Sequence, residues 1–187
     1  MKNEEFIKLL PLETDNLIIR KVSTKDVNLM LKMDKQESTQ KYLGGIKTKT
    51  YEERLEFLNK KEEKFNEGHA SQLTVCLKDG TGIGFTSLSI SEKNNNAEVS
   101  YMFDSDYTGK GYCSESLREL LRVAFEILDL HKVYADTVEG NLPSKKVLEK
   151  NNFKLEGIRR EAAYDSITNT YKDFYDYGLL KDEYKKN

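Results

Sequence analysis

Tyr101-Met-Phe-Asp-Ser-Asp-Tyr-Thr-Gly-Lys-Gly-Tyr-Cys-Ser114 reads as a strand, a short loop holding two glycines, and the first turn of a helix. Gly109 and Gly111 let the backbone take positive φ and turn its N–H groups toward one point. Those groups, with the unpaired donors and positive dipole end of the helix, make an anion site for a phosphate or pyrophosphate. Taken alone the loop is weak evidence. It lacks the lysine-ended signature of a nucleotide P-loop and the third glycine of a dinucleotide fingerprint. The same turn can simply pack a helix close to its strand.

Working outward, the helix after the loop is the best marked in the chain. Leu117, Leu120, Leu121, Ala124, Phe125 and Leu128 form an apolar stripe of helical period that faces a sheet. Upstream, residues 17–22 read as a first strand. Ser23 or Thr24 caps a helix with Asp26 in its first turn, carrying Val27, Met30, Leu31 and Met33. Residues 50–66 form an amphipathic helix with Leu55, Leu58 and Phe65 on one face and Gly68 as its stop. Strands at 72–78 and 82–91 are joined by a Lys78-Asp79-Gly80-Thr81 turn, with Gly80 at positive φ. Asn94 to Asn96 turn the chain into the strand Glu98 to Asp104. Downstream come a strand at 132–138, a short helix from Pro143, and two strands between Phe153 and Leu180 with a turn near Ser166 to Asn169. This alternation predicts a mixed α/β layer architecture, and 187 residues suit a single domain, 1–187.

Composition narrows the functional classes. Thirty basic and 32 acidic residues leave a net charge of −2, without the basic excess that nucleic acid selects. No apolar run is long enough to span a membrane, and MKNEEFIKLL lacks the apolar core of a signal peptide. Cys76 and Cys113 form no disulfide framework, which fits a reducing cytoplasm. His69, in a turn-like segment, reads as solvated, and His131 as a packed or capping residue. With no ligand companions at metal spacing, neither predicts a metal site.

A second stretch gives the loop its meaning: Glu139-Gly-Asn-Leu-Pro-Ser-Lys-Lys-Val-Leu-Glu-Lys-Asn-Asn-Phe153, followed by Leu155-Glu156-Gly157. With it the chain resembles the GNAT superfamily of N-acetyltransferases, especially the branch of the RimJ/RimL ribosomal-protein and spermidine acetyltransferases. The family's phosphate loop, Gln/Arg-x-x-Gly-x-Gly/Ala, maps onto Thr108, Gly109, Lys110, Gly111, Tyr112 and Cys113. Its second motif maps onto Asn141 through Phe153. The resemblance implies the GNAT fold, a mixed, mostly antiparallel sheet flanked by helices. It also implies acetyl-CoA as co-substrate. The loop and Ser114 would hold the pyrophosphate, Tyr101, Met102 and Phe103 the pantetheine arm and acetyl carbonyl, and Asn141 and Ser144 the far side of the arm. Lys146, in a local basic cluster with Lys145, suits a cofactor phosphate. Thr108 and Cys113 depart from the family pattern but are small enough for backbone amides to reach a pyrophosphate. Cys113 reads as a small residue filling a tight turn, or as a nucleophile at a helix N-terminus.

The resemblance further implies direct attack by an amine on the thioester, without metal or covalent enzyme intermediate. Leu148 stands where many relatives place a proton-donating tyrosine, which argues against a polyamine acceptor. Ser144 resembles the serine that RimL-type enzymes set near the thiol. Glu98 is the acidic candidate for the base. The position aligned with the RimL-type glutamate is Ala163, and Glu161 shares its strand face only if that strand is regular. A protein α-amine with pKa about 7.7–8.0 is roughly one-third neutral near pH 7.5, whereas a lysine-like amine is about 0.1% neutral. A site without a strong base therefore suits an α-amine. Polyamines, amino sugars and an acetyl-CoA-binding protein without turnover stay open. The acceptor pocket is expected in loops 35–50 and 162–172. Tyr164, Tyr171, Phe174, Tyr175 and Tyr177 fit either the core or a homodimer face.

Overall fold

The computed structural model describes residues 1–70 and 72–184. It opens with a helix that the sequence reading does not anticipate, α1 (Lys2–Leu9). So short a helix is not stable from its own propensity. It is held by burial of Phe6 and by the Asn3 backbone N–H, which donates to Glu92 Oε1 at 2.9 Å. The strands β1 (Leu12–Glu13) and β2 (Leu17–Lys21) follow. Ser23 and Asp26 then form a capping box, and a 3-10 turn leads into α2 (Val27–Asp34). Next come α3 (Glu37–Gln40) and α4 (Tyr51–Asn66), the latter opened by a Thr50–Glu53 capping box.

The remaining elements largely follow the periodicities. They are β3 (Gln72–Leu77), β4 (Gly82–Ser91), β5 (Asn96–Phe103), α5 (Tyr112–Arg122), β6 (Lys132–Val138), α6 (Leu142–Lys150), β7 (Lys154–Asp165) and β8 (Thr170–Leu180). The apolar stripe does reach Leu128, but beyond Arg122 it lies on a π-helical turn, Val123–Ile127. His131 is exposed rather than packed. Among the described residues only its backbone is engaged, donating to Asn95 O and accepting from the Lys181 N–H.

The strands form one eight-stranded sheet in the order β1-β2-β3-β4-β5-β6-β8-β7. Every neighbouring pair is antiparallel except β5 and β6. This is the mixed, mostly antiparallel architecture expected. The parallel pair is short, registering only Asn96 to Glu98 against Lys132 to Tyr134. Beyond it β5 runs on to Phe103 against β4, and β6 to Val138 against β8, without pairing to each other. The sheet therefore opens into a wedge at its centre, and α5 and α6 begin just past the strand ends that form its walls.

Two further features shape the ground around the wedge. β7 departs from regular pairing between Arg159 and Ala163, where three residues bulge against one, and Glu161 sits there at φ 52°. On the other side α2 and α4 are clamped by Arg54, whose Nε donates to Asp34 Oδ2 at 2.6 Å. Asp34 is 2% exposed and Arg54 13%. Removing one partner of so buried a pair strands the other charge. Asp34→Ala is therefore expected to cost about 3 kcal/mol in thermal or urea unfolding. Among the described residues no helix is long and apolar enough to cross a membrane.

Candidate active site

Along β5, alternate residues turn their backbone groups to opposite sides. Asp104 donates its N–H to Ile83 O on the β4 side, and Ser100 O accepts from Thr86 Oγ1 of β4. The even-numbered residues thus serve β4, and the N–H groups of Tyr101 and Phe103 face the wedge. Of the two candidates for a carbonyl-binding amide, Phe103 has the right orientation and Met102 the wrong one. Met102 instead points its side chain to the α2–α3 side, where Gln40 Nε2 lies 3.9 Å from its sulfur.

The strand's exit is anchored by Asp104, 1% exposed. It accepts from Lys32 Nζ at 2.6 Å, Gln36 Nε2 at 2.7 Å and the Asp106 N–H at 3.0 Å. Burial pushes its carboxyl up, but these donors outweigh burial and hold it below the usual range. A depressed carboxyl contributes stability that is present above its unfolded value and lost as pH falls through its folded one. Asp104→Asn should therefore flatten the fall of melting temperature below about pH 4.

Past Asp104 the loop reaches Gly109 at φ +75° and Gly111 at φ +88°, the latter capping α5. A Cβ at either position would meet nothing within 4 Å, so open space lies over both. The backbone N–H groups of residues 109 and 111 to 114 have no acceptor among the described residues, while Lys110 closes the turn at 108–109. Converging free donors under open space, at the start of an eleven-residue helix, fit an anionic group of phosphate size.

The other wall of the wedge ends in α6. Asn141 caps it, its Oδ1 accepting the Ser144 N–H at 3.2 Å, with Pro143 in the first turn. The Ser144 hydroxyl lies 2.9 Å from the Tyr101 hydroxyl, so the two walls meet side chain to side chain. Residues 16–154, which take in both walls and the loop, match the family described as the acetyltransferase (GNAT) domain. The chain belongs to the GNAT family.

It is an acetyl-CoA-dependent N-acetyltransferase of that family. The chain is 26% identical to p20 of Bacillus licheniformis, described as an uncharacterized N-acetyltransferase, over 92% of its own length and 97% of the relative's. Its fold matches RimL, a ribosomal alpha-N-protein acetyltransferase solved with coenzyme A, at 21% identity and TM-score 0.81, covering 92% of this chain and 98% of that one. It also matches the spermidine N-acetyltransferase of Vibrio cholerae, solved with CoA and spermine, at 21% identity and TM-score 0.79, covering 91% and 99%.

Against this GNAT frame the other expected site residues separate. Thr108 turns its hydroxyl to Ser105 O, and Lys110 stacks over the Tyr107 ring. Tyr112 is half-buried and Lys146 exposed at the two helix starts. The Ser114 hydroxyl oxygen faces inward, accepting from Arg118 and Asn151. Burial pushes the Cys113 thiol up to about 12, which leaves it protonated and a poor nucleophile. Leu148 is fully buried in the core.

Glu98 stands at the last β5–β6 pair, on the sheet face opposite Tyr101. Burial and the neighbouring Asp136 raise its carboxyl, with Arg159 opposing. It shares this open face with Asp136 and Asp176, both bonded to Arg159. Glu161, by contrast, is carried off the regular strand by the β7 bulge, and its N–H is tied to Asp173. The loops expected to shape the acceptor pocket do meet: Ser166 Oγ donates to Gly44 O at 3.2 Å, and Ile167 packs on Gly45. Among the aromatics Tyr177 is core, Phe174 and Tyr175 are half-buried, and Tyr164 and Tyr171 are exposed against each other. Among the described residues no group of three His, Cys, Asp or Glu side chains is placed to hold a metal ion.

Proposed function

We propose that this GNAT enzyme acetylates a protein N-terminal α-amine, of the ribosomal-protein type, within a single domain spanning residues 1–187. The observation that carries the reading is the wedge between β5 and β6, with free amides at its phosphate end and Ser144 at the other. Acetyl-CoA fits with its pyrophosphate on residues 109–114 and its arm along Tyr101 to Phe103, with Asn141, Ser144 and Lys146 opposite. The Phe103 N–H polarises the thioester carbonyl. The amine nitrogen attacks that carbon from the open sheet face, the C–S bond breaks, and its electron pair leaves on sulfur beside Ser144. The amine loses one proton through water toward Glu98, and the thiol gains one. The acceptor choice rests on chemistry: with Leu148 buried and Glu161 turned away, the site suits an amine already partly neutral near pH 7.5.

One observation favours a small cationic amine such as a polyamine instead. Glu98, Asp136 and Asp176 crowd one open face with Arg159 as the cation bonded to the two aspartates. Thiol release from acetyl-CoA, with N-terminal peptides and polyamines compared at about pH 7.5, decides between them. Turnover with peptides alone supports the α-amine, and turnover with polyamines alone replaces it. Acetyl-CoA binding without turnover on either, or on amino sugars, would make the chain a cofactor binder. Two free cysteines suit a reducing cytoplasm, and the exposed Tyr164 and Tyr171 suit a homodimer contact through the β7–β8 hairpin.

A further inference from the structure

A phenol faces Ser144 from the other side of the cleft. Leu148 is one helical turn beyond Ser144 and sits entirely in the core, so that position offers the serine no acid. Tyr101 lies three residues past the last β5–β6 pair, on the diverging strand. Its hydroxyl reaches across the wedge to stand 2.9 Å from Ser144 Oγ, a contact in which either oxygen can donate, and 3.4 Å from Ser144 O. Asn141 fixes the backbone of the same serine from below.

This arrangement bears on how Ser144 can serve a departing thiolate. A serine hydroxyl has one proton, two lone pairs and a free rotor. When the phenol donates to Oγ, one lone pair is occupied and the serine's own proton is left to point into the wedge. Donation along the chain also polarises the serine O–H. Burial raises the Tyr101 phenol above its usual value, so it keeps its proton and yields none to a thiolate.

We propose that Tyr101 is a positioning residue, which donates to Ser144 Oγ across the wedge and aims the serine proton at the CoA sulfur. The inference deepens the acetyl-transfer reading and rests on it. As the C–S bond breaks, the electron pair settles on sulfur, the Ser144 hydroxyl hydrogen-bonds to it, and both hydroxyls keep their protons. The proton that finally neutralises the sulfur equals the one lost by the amine, so the step balances.

The test needs no acceptor. Free CoA is bound to the protein, and its thiol is titrated by the ultraviolet absorbance of the thiolate, with affinity measured by calorimetry on the same samples. In the native protein the bound thiol should titrate below free CoA. Tyr101→Phe and Ser144→Ala should each raise it by about one unit. The double variant should raise it no further, and CoA affinity at low pH should stay within about threefold, which also reports an intact cleft. An unchanged titration in Tyr101→Phe while Ser144→Ala shifts, or additive shifts in the double variant, would overturn the inference and leave acetyl transfer standing. Failure of the native protein to bind CoA would instead overturn the acetyl-transfer reading, and this inference with it.

Discussion

Gly111→Glu is expected to weaken acetyl-CoA binding by at least about 100-fold, because it places a like charge against the pyrophosphate. Gly111 sits at φ +88° with open space where a Cβ would project, so the new carboxylate enters the volume assigned to the phosphate. It also meets the helix end whose first amides have no other acceptor among the described residues. A side chain at that φ adds about 1 kcal/mol of strain by itself. Gly111→Ala separates the effects, since it carries the strain without the charge and should lose far less affinity. Calorimetric titration of both variants reads the difference. Retained binding in Gly111→Glu would remove the loop from the site.

Ser144→Ala should show the opposite pattern: turnover falls roughly 10- to 100-fold while acetyl-CoA affinity stays within about twofold. The magnitude follows from one hydrogen bond to a charged group, about 1.5–3 kcal/mol. It is a bond made to sulfur only as the thiolate forms, and such bonds act on kcat rather than on KM. The variant leaves α6 intact, because the cap runs from Asn141 Oδ1 to the backbone N–H of residue 144 and needs no hydroxyl. Unchanged turnover with chemistry rate-limiting would take Ser144 out of the mechanism.

Much of this is legible in the sequence. The stripe from Leu117 to Leu128, the turn at Gly80 and the strand 132–138 are local signals, and they place the sheet and α5 where they stand. The paired motifs bring the glycine loop and Ser144 to the two walls of one cleft. What the sequence did not disclose depends on pairing between distant segments. α1 is fixed by contacts to Glu92 and the core rather than by its own pattern. The π-helical turn hides because the apolar stripe continues through it. The bulge that displaces Glu161 involves the register of β7 on β8, which no local period reports. Likewise, the bond from Tyr101 to Ser144 exists because β5 and β6 part after three pairs. A strand tyrosine spaced 43 residues from a helix serine carries no mark of that meeting.

The central claim is that the parted strands and the glycine loop together hold acetyl-CoA. The most direct measurement follows the backbone amide resonances of the 15N-labelled protein during titration with acetyl-CoA. The account predicts the largest saturable shifts at residues 109 to 114 and at the Tyr101 and Phe103 amides, with the β1–β2 edge unmoved. Binding that leaves those amides in place and shifts another surface would contradict it.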